Sequence, residues 1–194
     1  MPLSDIHRLS DTHRLSARHR HGGGSGDGNR INYNDLLNKP SADNELFIPS
    51  GAFADNDANV FFESYFQHPC ITMLNNVMTL CTVGFRVPAG KSTIVSMKLV
   101  FVNDNSSSNL YCKFFVRRTA IAGSSTVDSS DGWSTYAVGS NFTETITVPS
   151  AAYDGIGTLI PEDLIGLQIR RHGSSSSDTY NSDLRIAGLL VELS

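Results

Sequence analysis

Histidine, cysteine and tryptophan carry most of the side-chain chemistry open to this chain, which has six, three and one of them. His19 and His21 stand two apart in Arg18-His19-Arg20-His21. On extended backbone alternate side chains share a side, so the two imidazoles lie about 6–7 Å apart; three chains around an axis would offer an octahedral set for a first-row transition metal. Arg18 and Arg20 oppose such a cation by Coulomb repulsion, which leaves a solvated or partner-contacting pair as the competing reading. Outside the N-terminal segment only His68 and His172 remain, and among so many serines any match to a Ser-His-carboxylate triad would be chance. The carboxylate pairs Asp55/Asp57 and Glu162/Asp163 read as turn residues, with Asp163 a candidate cap of the turn before the next strand. No phosphate loop, HExxH or glycine-rich nucleotide fingerprint occurs, so no catalytic residue and no enzyme activity is expected. Cys70, Cys81 and Cys112 form no CxxC pair and leave an odd count, which predicts buried thiols rather than a disulfide framework or a zinc site. Trp133, Tyr136 and Tyr180 lie in polar stretches, and aromatic rings flanked by polar groups form a platform on which sugar rings stack. The competing reading has Trp133 plugging the end of the fold.

These side chains need a scaffold, and from about residue 45 the pattern supplies strands. LFIPSGAF (46–53), VFFESYF (60–66), VMTLCTVGFRVP (77–88), STIVSMKLVFV (92–102), LYCKFFVRR (110–118), FTETITVP (142–149), LIGLQIRR (164–171) and LRIAGLLVEL (184–193) are rich in β-branched and aromatic residues. Turn clusters separate them at Pro88-Ala89-Gly90, 103–109, 124–132 and 173–178. About eight such strands predict an all-β antiparallel sandwich. Alternation is clear in Leu110/Cys112/Phe114/Val116 against Tyr111/Lys113/Arg117, and in Ile165/Leu167/Ile169 against Gly166/Gln168/Arg170. The last run differs, because Leu189, Leu190, Val191 and Leu193 put apolar residues on both faces. Either it is a central strand, or Leu189 and Val191 belong to a face that meets another subunit.

Composition excludes other classes. A net charge of −4 without a basic stripe argues against nucleic-acid coating. No apolar stretch of about 18 residues occurs, so membrane insertion is not expected. MPLSDIHRLSDTHRL has neither the apolar core nor the cleavage site of a signal peptide, which predicts synthesis and folding in the cytosol.

Residues 1–40 read as an extended arm and 41–194 as a knob. In the arm LSDIHR (3–8), LSDTHR (9–14) and LSARHR (15–20) repeat with a period of six. On a helix Leu3, Leu9 and Leu15 would spiral around the cylinder, whereas on extended backbone they fall in one phase. A single extended strand cannot bury such a face, so these leucines are expected to contact copies of the chain or a partner's groove. HGGGSGDGN (21–29) then reads as a hinge.

Several of these segments resemble one family. Phe53, the Val87-Pro88 and Val148-Pro149 strand ends, Pro161-Glu162-Asp163-Leu164-Ile165-Gly166-Leu167-Gln168-Ile169-Arg170-Arg171 and the terminal Asp183 to Leu193 are similar to C-terminal jelly-roll domains of tailed-phage fibre, spike and head-fibre or decoration proteins. Ala17 to Gly24 resembles their His/Gly-rich linkers, and Asn34-Asp35-Leu36-Leu37-Asn38-Lys39-Pro40 their connectors. The resemblance implies a jelly-roll knob on a virion surface, assembled in the host cytoplasm, homotrimeric, and anchored to capsid or tail proteins through residues 1–40. It also gives the His19/His21 pair a metal-binding precedent. The near absence of a shaft favours a short fibre or capsid-surface decoration over a long tail fibre. The alternative is an adhesion module that binds host-surface glycan through Trp133, Tyr136 and Tyr180.

Overall fold

Apolar residues at period two become twelve strands among the described residues, which in this computed structural model are 44–103, 107–121 and 126–194. They are β1 (Glu45–Pro49), β2 (Phe53–Asp55), β3 (Val60–Tyr65), β4 (His68–Met73), β5 (Met78–Arg86), β6 (Ile94–Val102), β7 (Ser108–Thr119), β8 (Thr126–Ser130), β9 (Ser134–Val138), β10 (Thr143–Thr147), β11 (Leu164–His172) and β12 (Leu184–Leu193). The first sheet runs β10-β6-β12-β4-β3, with β1 sharing the β4 edge of β12. The second runs β2-β5-β11-β7-β8, with β9 continuing along the same edge of β7 as β8. From β4 the chain steps between the sheets: β5 joins the second, β6 the first, β7 to β9 the second, β10 the first, β11 the second and β12 the first. That winding of antiparallel strands makes a jelly-roll sandwich.

The inward phases meet between the sheets. Ile71, Met73, Met97, Leu99, Phe101, Ile186, Leu189 and Val191 face Val83, Leu110, Phe114, Ile165, Leu167 and Ile169, all essentially inaccessible to solvent. Burying each such side chain contributes about 1.5–3 kcal/mol before entropy is subtracted. Cys70, Cys81 and Cys112 are buried free thiols, and burial pushes the Cys81 thiol up to about 12. Asp163 caps its turn: Oδ2 accepts the Ile160 N–H at 2.9 Å and Arg118 Nε–H at 2.6 Å.

Two expectations need correction. Leu189 and Val191 are not subunit contacts, because β12 is the central strand of the first sheet and both side chains fill the core. The apolar residue on its other face, Leu190, pairs with Phe47 of β1. The strand number also exceeds eight. The run 46–53 breaks at a 3-10 turn over Ser50–Ala52 after Pro49, sending β1 and β2 to different sheets. VFFESYF turns at Phe66 and Gln67, both at positive φ, and returns as β4. The polar stretch 124–132 contains β8. Leu3, Leu9, Leu15, His19 and His21 lie outside the described residues.

Candidate functional site

Strand parity decides what the outer face of the second sheet carries. On β7 the buried Leu110, Cys112, Phe114 and Val116 leave Tyr111, Lys113, Phe115 and Arg117 outside; on β11 the buried Ile165, Leu167, Ile169 and Arg171 leave Gly166, Gln168, Arg170 and His172 outside. The register pairs Gln168 with Phe115 and Arg170 with Lys113, and β5 sets Thr82 opposite Gln168 and Gly84 opposite Gly166.

Trp133 reaches this face through a one-residue irregularity. Ser130 of β8 pairs with Phe115, and Ser134 of β9 pairs with Cys112. Asp131, Gly132 and Trp133 therefore lie opposite two residues, Lys113 and Phe114, the count of a β-bulge. One extra residue exchanges the sides of everything beyond it. Asp131 thus keeps the inward phase of β8, while Trp133 takes the outward phase of β9.

The Asp131 carboxylate holds the break in place. Its Oδ1 accepts the Phe114 backbone N–H at 2.7 Å, and its Oδ2 accepts the Tyr136 hydroxyl at 2.9 Å. The ladder donor that would face a strand carbonyl in a regular pairing is satisfied by a side chain instead. Burial first, and then the neighbouring Asp131 carboxylate, push the ionisation of Tyr136 above the usual tyrosine range, so the hydroxyl remains a donor.

The result is an aromatic stack on the outer face. Trp133 lies on Tyr111 with ring centroids 5.3 Å apart and planes 28° from parallel. His172 completes it, 5.5 Å from Trp133 and 6.2 Å from Tyr111. All three are partly exposed. Below them Arg171, fully buried, donates from Nε and Nη2 to Asp178 at 3.0 and 3.1 Å, and from Nη1 and Nη2 to the Ser182 and Tyr180 carbonyls at 2.9 and 2.5 Å. Asp178 also accepts the Tyr111 N–H at 3.2 Å. The loop between β11 and β12 is thereby tied to the strand that carries Tyr111.

A groove of about 550 Å³ lies farther along the same sheet, lined by Thr82, Phe115, Arg117, Asp128, Gln168 and Arg170 among others. Gly166 lies in its lining, and a Cβ built there would meet nothing within 4 Å. One wall is the bidentate Arg117–Asp128 pair, at 2.6 and 2.8 Å.

Of the three aromatic residues expected to form a platform, only Trp133 lies on this face. Tyr180 is fully buried, its ring edge-on to Phe101 and beneath the Arg171 guanidinium. Tyr136 packs inward on Phe114 and acts on the face through Asp131. Trp133 is not a plug between the sheets. Tyr111, Phe115, Gln168 and His172 are site residues that the sequence reading did not single out; its alternation put Tyr111 and Gln168 on the outward phase, which Phe115 and His172 continue in the structure.

No known family profile and no curated protein matches the chain. Several solved structures are similar to it at low identity. A family 35 carbohydrate-binding module from Clostridium thermocellum shares 12% identity with a TM-score of 0.44, over 76% of this chain and 96% of that one. A family 11 carbohydrate-binding module from the same organism, in complex with a β-1,3-1,4-mixed-linked tetrasaccharide, shares 10% with a TM-score of 0.46, over 78% and 97%. A xylan-binding module from Roseburia intestinalis shares 11% with a TM-score of 0.36, over 77% and 96%.

Proposed function

We propose that the sandwich is a glycan-binding module and that the outer face of its second sheet is the binding face. The observation that carries this reading is the Trp133–Tyr111–His172 stack, presented outward by a bulge. In unbroken register Trp133 would take the inward phase, where an indole serving stability alone would be buried. Instead a buried carboxylate and a tyrosine hydroxyl maintain the irregularity that exposes it. Sugar rings offer apolar C–H faces to such a stack, while their hydroxyls meet the polar lining of the groove, Thr82, Gln168 and the Arg117–Asp128 pair. The resemblance to phage fibre and decoration knobs supplies a setting for the same module: a host-facing knob, homotrimeric, carried on residues 1–40.

Affinity electrophoresis through gels containing neutral and acidic polysaccharides tests the reading. The protein is expected to be retarded by at least one polymer, and Trp133→Ala to weaken that retention about tenfold, or about 1.4 kcal/mol, with an unchanged circular dichroism spectrum. Retention by no polymer, or equal retention of the Trp133→Ala variant, would overturn it.

A further inference from the structure

Five of the six described arginines sit on a carboxylate: Arg86 on Glu162, Arg117 on Asp128, Arg118 on Asp163, Arg171 on Asp178 and Arg185 on Glu63. Arg170 is the exception among the described residues. It lies directly opposite Lys113, which has no carboxylate partner there either. Like charges facing each other across two strands are unfavourable, and this pair sits in the middle of the candidate face. Phe115 relieves part of the repulsion, with Lys113 Nζ 4.6 Å and the Arg170 guanidinium 4.5 Å from its ring centroid. A ring quadrupole does not neutralise two positive charges.

Resting on the glycan-binding reading, we infer that Lys113 and Arg170 form an anion subsite for the carboxylate of a uronate residue adjoining the sugar that stacks on Trp133. One step beyond the Cys112–Ser134 pair, the register of β9 sets Trp133 opposite Lys113. Tyr111 and His172 are two residues along their strands from Lys113 and Arg170, a separation of about 7 Å. Both cationic ends lie over Phe115, on the side of Lys113 away from Tyr111, so the carboxylate they take is carried by the sugar residue next to the one that stacks on Trp133. Arg170 Nε already donates to Gln168 Oε1 at 2.8 Å, which orients the guanidinium and leaves its terminal nitrogens to grip a carboxylate.

Calorimetric titration with oligogalacturonate, alginate and hyaluronan oligomers, each beside its carboxyl-reduced neutral counterpart, tests the assignment. At least one acidic oligomer is expected to bind about tenfold more tightly than its neutral form, and added salt should erase the difference. The double variant Lys113→Gln/Arg170→Gln should abolish the preference for the acidic form. Equal binding of acidic and neutral forms, or a preference that survives the double substitution, would overturn the anion subsite while leaving the glycan face standing. A sulfated polymer bound in place of every uronate would overturn the carboxylate assignment. Binding of none of these glycans, with Trp133→Ala indistinguishable from the parent, would remove the glycan-binding reading and the subsite with it.

Discussion

Asp131 shows how a buried charge can serve geometry. Each of its oxygens has a donor that would otherwise be stranded, the Phe114 N–H and the Tyr136 hydroxyl. Asp131→Ala should therefore lower stability by about 3 kcal/mol in urea denaturation, since both donors lose their acceptor. Tyr136→Phe removes one hydrogen bond and should cost about 1 kcal/mol. Because folding raises the ionisation range of Tyr136, the stability linked to it is present below the ordinary tyrosine range and lost as pH rises through the elevated value. The alkaline limb of the stability profile should accordingly be shallower in Tyr136→Phe, and an unchanged limb would contradict the assignment.

At the scale of the strand, the β8–β9 bulge is the element that makes the site. Deleting Gly132 removes the extra residue and sets Asp131 opposite Phe114 and Trp133 opposite Lys113, so both side chains keep their phases and β9 keeps its pairing. The expected outcome is glycan retention near the parent level, because the outward phase of Trp133 is kept; loss of retention in a variant that still folds would show that the local bulge geometry, and not strand phase alone, presents Trp133. The same element marks where reading from sequence stops. Alternation in β7 and β11 already separated Tyr111, Lys113, Gln168 and Arg170 from the core phase, because each of those strands has one buried face. Which strand lies beside which is a non-local matter, and no local pattern says that Arg170 faces Lys113. The bulge was hidden for another reason: Ser129-Ser130-Asp131-Gly132 has the composition of a turn, and β8, at the sheet edge with its alternate residues exposed, has no apolar face to betray it. Tyr180 misled because a Ser/Asp-rich loop suggests exposure, whereas Arg171 and Asp178 draw that loop down over the core edge.

Across the whole molecule, two buried ion pairs at the ends of β11 fix the sandwich around the face. Arg171→Ala would leave Asp178 an uncompensated buried charge, at a cost of about 3–5 kcal/mol. Amide exchange at Tyr111 and Tyr180 should then accelerate, since the loop from β11 to β12 loses its tie. At the other end burial works against the charge on Asp163, but the Ile160 N–H and the Arg118 guanidinium outweigh it and hold the carboxyl below its usual range. Folding favours the ionised form, so this stability is present above the ordinary aspartate range and lost as pH falls through the depressed value. Asp163→Asn should be less stable at neutral pH by about 3 kcal/mol and should show a shallower acid limb. Such substitutions act on the scaffold, and the binding face has a reporter of its own. Trp133 is the single tryptophan of the chain, so its emission reads the stack without labelling. Titrating the protein with the polysaccharide that retards it, and following that emission, is the most direct measurement. A saturable change in Trp133 emission, with the same midpoint as binding measured by calorimetry, is the predicted result; saturable binding that leaves the emission untouched would place the ligand elsewhere and contradict the account.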